Sequence, residues 1–139
     1  MLKLDKFGNY EFDSILLRRF NKILSASSIL RNCIGFLKIK NIEFMLETNY
    51  KHDNGIGTFR RYMDGLKLKR IVIFVNIKRI QKTEHTINTV LKHELGHMID
   101  FINFFYRIKK TTKDINIIEM LFTRMNGCEL RANEYAERI

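Results

Sequence analysis

The residues with the clearest capacity for chemistry are His93, Glu94 and His97, set in the run His93-Glu94-Leu95-Gly96-His97, a complete HExxH. A helix turns once in about 3.6 residues, so side chains four apart are stacked neighbours and two imidazoles so placed can converge on one ion. Glu94, turned by a single residue, lies beside them, where a carboxylate can take a proton from water without binding the ion itself. Two nitrogen ligands and an adjacent base are the working half of a zinc hydrolase. The plainer alternative is an amphipathic helix with two histidines on its polar face, and the surrounding residues decide between the two.

Those surroundings favour a helix from about Thr83 to Tyr106. Thr83 is a ready N-cap, and Leu91, Leu95, Met98 and Ile102 recur at helical spacing as an apolar stripe that belongs to the core. The histidines are offset from that stripe, towards its edge. Gly96 costs a helix up to about 1 kcal/mol relative to Ala, so its presence predicts that something packs closely over that point.

A catalytic zinc usually has three protein ligands and one open position, which sends the search downstream to Cys128-Glu129-Leu130-Arg131-Ala132-Asn133-Glu134-Tyr135-Ala136. Glu129, Ala132, Asn133 and Ala136 share one helical face. With two alanines on it, that face can approach the first helix closely and deliver Glu129 to the metal, leaving Asn133 to fix a ligand imidazole by a hydrogen bond. Asp100 is a rival third ligand. On the same helix as the histidines, however, it projects alongside the ion and not across from them, which assigns it a supporting or structural role. His85 is expected to face solvent and His52 to sit in a turn. Cys33 and Cys128 are too few and too separated for a disulfide framework, and their expected role is packing in a reducing compartment.

HELGH followed some thirty residues later by ExxANxYA resembles the gluzincin metallopeptidases, and most closely their small ImmA/IrrE-like group, over about residues 70 to 139. The resemblance implies a minimal zincin-like α+β fold, Zn2+ held by His93, His97 and Glu129, Glu94 as catalytic base, and Asn133 beside the ligands. It also implies hydrolysis of a peptide bond in a protein substrate, a regulator or repressor in the first place, in a phage or mobile-element setting. Family members usually continue past this last helix, so the resemblance implies that part of the substrate site lies elsewhere or comes from a partner. The stretch Cys128 to Asn133 is similar also to the mitochondrial ATP-synthase-processing peptidases, but their cysteine pattern is absent. Two other readings stand beside this one. One is a non-enzymatic, zinc-containing module that binds a regulator or nucleic acid, against which the retained Glu94 argues; the other is a peptidase toxin aimed at a host protein. Tyr62, Tyr106 and Tyr135 are oxyanion donors by residue type alone.

The elements that must position these groups follow from the rest of the 139 residues, which are expected to form one domain over 1–139. Asp13 can cap a helix running to about Asn32. Three strand-like stretches follow, about Asn41 to Tyr50, Ile56 to Met63 and Leu68 to Ile77, separated by turn signals at Asp53-Asn54-Gly55 and Asp64-Gly65. They predict a three-stranded meander. The glycine-rich, basic stretch Gly55 to Arg61 is a candidate rim of the substrate cleft, with an ordinary solvated hairpin the favoured reading. Beyond the motif helix, Lys109 to Lys113 is a loop and Ile115 to Met125 a further helix, before the helix that supplies the third ligand. Neither a membrane span nor a signal peptide is indicated, which predicts a cytoplasmic location. The net charge of +10 is spread along a chain without proline; nucleic acid is an admissible partner but not the favoured one.

Overall fold

A computed structural model describes residues 3–5, 10–48, 55–76, 79–80 and 83–139. The fold is α+β: β1 (Lys3–Asp5), α1 (Tyr10–Ala26), α2 (Ser28–Ile39), β2 (Glu43–Glu47), β3 (Gly57–Asp64), β4 (Lys67–Val75), α3 (Glu84–Lys109), α4 (Asp114–Arg124) and α5 (Cys128–Arg138). His52 and the Asp53-Asn54 turn lie outside the described residues.

The expected N-terminal helix is two helices. Ser27 interrupts it: its backbone is extended, and its hydroxyl accepts the Leu30 N–H at 3.3 Å, capping α2. α1 begins at Tyr10, three residues before the expected cap position at Asp13. At the other end of α2, Asn41 adopts the left-handed conformation (φ 57°) while Ile42 N–H reaches Leu37 carbonyl at 2.9 Å and Asn41 N–H reaches Lys38 carbonyl at 3.1 Å. That is a Schellman stop, with Leu37 and Ile42 both buried beneath it.

The expected meander is corrected to a mixed sheet in the order β1-β2-β4-β3. β2 pairs parallel to both β1 and β4, and β3 pairs antiparallel to β4 alone. The reason lies in how much each strand buries. β4 carries the unbroken apolar run Ile71-Val72-Ile73-Phe74-Val75, with Ile71, Val72, Ile73 and Val75 fully buried, and a strand apolar on both faces belongs in the middle of a sheet. β3, Gly57-Thr58-Phe59-Arg60-Arg61-Tyr62-Met63-Asp64, is half polar and tolerates the edge. The hairpin that puts it there turns at Gly65-Leu66 between the paired Asp64 and Lys67, with Gly65 at φ 59°, a conformation that suits glycine.

The motif helix runs as expected, from its Thr83 cap, whose hydroxyl accepts Thr86 N–H at 3.3 Å, to Lys109. Leu91, Leu95 and Met98 are fully buried, and Ile87, Ile99 and Phe105 extend the stripe through the core that α3 shares with α1, α2 and the sheet. Each such side chain contributes about 1.5–3 kcal/mol by leaving water, so α3 is anchored well enough to hold ligands rigidly. Among the described residues no helix is long and apolar enough to cross a membrane.

α5 lies directly across α3, and Gly96 marks the crossing: a methyl group added there would come within 2.2 Å of the Ala132 carbonyl oxygen. The opposing effects have different signs. Ala in place of Gly favours an isolated helix by about 1 kcal/mol, whereas overpacking costs about 1–3 kcal/mol, and a backbone carbonyl cannot swing aside. Gly96→Ala is therefore expected to destabilise the protein in urea denaturation; a gain in stability would show that the two helices are not in contact.

Candidate metal centre

The close crossing of α3 and α5 sets out the site. Glu129 lies one turn before Ala132 and Asn133 directly after it, so the contact at Gly96 carries both of them to the two histidines. The His93 and His97 rings stand edge to face, their centroids 4.8 Å apart. Glu129 bridges them, with Oε2 2.8 Å from His93 Nε2 and Oε1 3.1 Å from His97 Nε2. Asn133 Oδ1 lies 2.7 Å from His93 Nδ1. With an amide oxygen there, Nδ1 donates, and His93 Nε2 in its neutral form turns a lone pair towards Glu129.

A carboxylate facing two imidazole nitrogens is stable when a cation lies among them. His93, His97 and Glu129 form such a group, each offering one ligand atom, all within 4.8 Å of one another. Metal–ligand bonds of about 2.0–2.1 Å place tetrahedral zinc ligands about 3.3 Å apart; the separations of 2.8 and 3.1 Å lie just inside that, and the widest, up to 4.8 Å, must close through side-chain rotation. Two nitrogens and one oxygen leave a fourth position free. The residues present therefore fit a zinc ion, with Asn133 in the orienting position expected of it.

Burial holds His97 below its ordinary value of 6.5, and the neighbouring His93 pushes the same way, against Glu129 and Asp100. The neutral, ligating form is thus favoured.

Glu94 is buried and lines, with His97 and Glu129, a cavity of about 420 Å³. The other wall of that cavity corrects the reading of Gly55 to Arg61 as a solvated hairpin. Strand residues on one face alternate by two, and here Gly57, Phe59 and Arg61 all turn towards α3. Gly57 lies so near Glu94 that an added methyl would meet Val90 Cγ1 at 2.8 Å and Glu94 Cγ at 3.1 Å. Phe59 stacks on His97, with centroids 6.3 Å apart and planes 9° from parallel. Arg61 lies over the Phe101 ring at 4.6 Å. The alternation was present in the residue order, but a strand's inner face is recognisable only once its partner is known.

Asp100 stands outside the group formed by His93, His97 and Glu129. Its carboxylate is buried and taken by Arg124 Nη2 at 2.8 Å and by Arg131 Nε at 3.0 and 3.1 Å. Arg131 also donates to the Asn126 carbonyl at 2.8 Å and to the Arg124 carbonyl, closing the end of α4. Asp100 thereby fastens α4 and α5 to α3, a role its neighbours in sequence do not announce because both arginines come from other helices. Gly127, at φ 73°, makes the sharp turn between them.

None of the three tyrosines lines the cavity. Tyr62 stacks under Arg70 on the far face of β3, Tyr106 packs edge-on against Phe36, and Tyr135 meets Asn103 at 3.5 Å. His85 is exposed, as expected. Both cysteines are free, Cys33 in the core and Cys128 on the cavity wall.

Comparison with known proteins returns no match to any family model, curated protein or solved structure.

The wild-type protein should carry about one zinc per chain by elemental analysis, a value that His93→Ala and Glu129→Ala abolish. Asn133→Ala, which frees an imidazole to rotate, should weaken zinc binding about 10–100-fold. Asp100→Ala should lower stability and weaken zinc far less than Glu129→Ala; the reverse order would make Asp100 the ligand. Acid should act on the metal-free protein in a defined window. As pH falls below 6.5 the unfolded chain protonates His97 while the folded chain resists, so stability drops until the lowered folded value is passed. Denaturation midpoints measured from pH 7 downwards check this, and His97→Asn should flatten the slope.

Proposed function

We propose that this chain is a zinc-dependent metallopeptidase of the gluzincin type, similar to the ImmA/IrrE-like group, acting on a protein substrate in the cytoplasm. The observation that carries the reading is the convergence of His93, His97 and Glu129 on one point with Glu94 lining the same cavity. A structural zinc has no need of a buried carboxylate placed between its ligands, so Glu94 favours an enzyme over a binding module.

Zinc, when bound, supplies Lewis acidity, which brings the pKa of water towards about 7 and polarises a carbonyl. The chain's own residues do the rest. Glu94 accepts a proton from the attacking water and returns it to the leaving nitrogen, a general acid–base contribution of about 10²–10⁴-fold. Gly57 lets β3 lie close over Glu94, where an added methyl would meet its Cγ at 3.1 Å. Asn133 keeps the His93 ring in its ligating tautomer, and Phe59 covers one face of His97. β3 has its outer edge free of any other strand in the described sheet, which suits an extended substrate that adds to the sheet beside the cavity. A regulator or repressor is the substrate that the resemblance favours.

Glu94→Gln preserves shape and removes the base. In the zinc-loaded protein it should leave metal content unchanged and reduce cleavage of a peptide library at least about 100-fold. Cleavage at the wild-type rate by Glu94→Gln would overturn this mechanism.

A further inference from the structure

From the far wall of the cavity we infer that Arg61 selects substrates by a carboxylate placed within two residues of the scissile bond, an inference that rests on the peptidase reading above. Among the described residues Arg61 has no carboxylate partner, although the cavity has acidic groups. Asp100 is committed to Arg124 and Arg131. Glu129 is engaged by the two histidines, and Glu94 packs beneath Gly57 at the other end of the edge strand. The Arg61 guanidinium carbon instead lies 4.6 Å from the centre of the Phe101 ring, and the exposed side chain lines both this cavity, with Phe104, Leu121 and Met125, and a second, smaller one. A cation held over an aromatic ring makes no conventional hydrogen bond to it, so the donor edges of the guanidinium remain for a planar anion. Carboxylates match that edge with paired, charge-assisted hydrogen bonds.

The spacing places the anion. Phe59 marks the level of His97, and Arg61 lies one strand repeat further, about 6.6 Å. An extended chain lying beside β3 advances two residues over that distance, so a group one or two residues from the bond held over His97 comes level with Arg61. An aspartate or glutamate side chain satisfies this, and so does the terminal carboxylate of a substrate cut close to its end. Lysine and arginine side chains are disfavoured there by repulsion from both Arg61 and Arg124.

The test uses the zinc-loaded full chain and peptidyl hydroxamates extended in either chain direction, carrying glutamate, glutamine, or glutamine with a free terminal carboxylate. Calorimetry should show at least one carboxylate probe binding about tenfold or more tighter than the neutral glutamine probe, and the identity of that probe distinguishes side chain from chain end. Arg61→Gln should abolish the advantage, bringing the carboxylate probe to the affinity of the neutral one, and Arg61→Glu should transfer the preference to a probe carrying lysine in place of glutamate. Equal binding of charged and neutral probes, or an advantage that survives Arg61→Gln, would overturn the role of Arg61 while leaving the peptidase reading intact. Failure of every probe to bind a chain that holds zinc would overturn both.

Discussion

The contact between Gly96 and Ala132 is the constraint on which the site rests. A helix can align two histidines without help, but it cannot supply a third ligand from the opposite side of an ion, and that ligand must arrive on a second element close enough for a carboxylate to span the gap. Glycine on one helix and alanine on the other let the backbones nearly touch. Glu129, one turn before that point, and Asn133, directly after it, are then brought to His97 and His93 at hydrogen-bonding distance. A bulkier residue at either position would separate the helices and pull ligand and orienting residue away together.

A second layer of interactions keeps that crossing in place. Asp100, buried on α3, accepts from arginines on α4 and α5, and Arg131 in turn satisfies carbonyls at the end of α4. An acid so buried without cations would be costly, and the arginines without the acid would lose their reason to converge. The same pairing has a consequence for charge in the cavity. It occupies Asp100, an acid lining the same cavity, and among the described residues Arg61 is left without a carboxylate partner.

The sheet contributes through its order. Because β4 is apolar on both faces it takes a central place between β2 and β3, and β3 is displaced to the edge nearest α3. From there its inner face supplies a glycine over Glu94, a phenylalanine against His97 and an arginine over Phe101, in step with the turns of the helix. Glu94, His97 and Phe101 are three and four residues apart, advances of about 4.5 and 6 Å, near enough to the strand repeat of about 6.6 Å for long side chains to keep this correspondence over three positions.

Local signals were legible in the residues themselves. The Thr83 cap, the apolar stripe of α3, the Glu129–Asn133 face of α5 and the demand of Gly96 for a close neighbour all follow from short-range rules of helix geometry, and each appears where those rules put it. Other features depended on partners distant in the chain. The break at Ser27 was masked by apolar periodicity that continues across it, and strand spacing alone could not tell a meander from a sheet in which β4 inserts beside β2. The commitment of Asp100 to two arginines, the turning of Gly57, Phe59 and Arg61 towards α3, and the distance of all three tyrosines from the cavity were likewise decided by tertiary packing. The sequence by itself determined which residues are able to ligate and where helices carry them, because those properties reside in a few neighbouring residues. Which side chains meet was decided only when the core closed, because that depends on the burial of the whole chain at once.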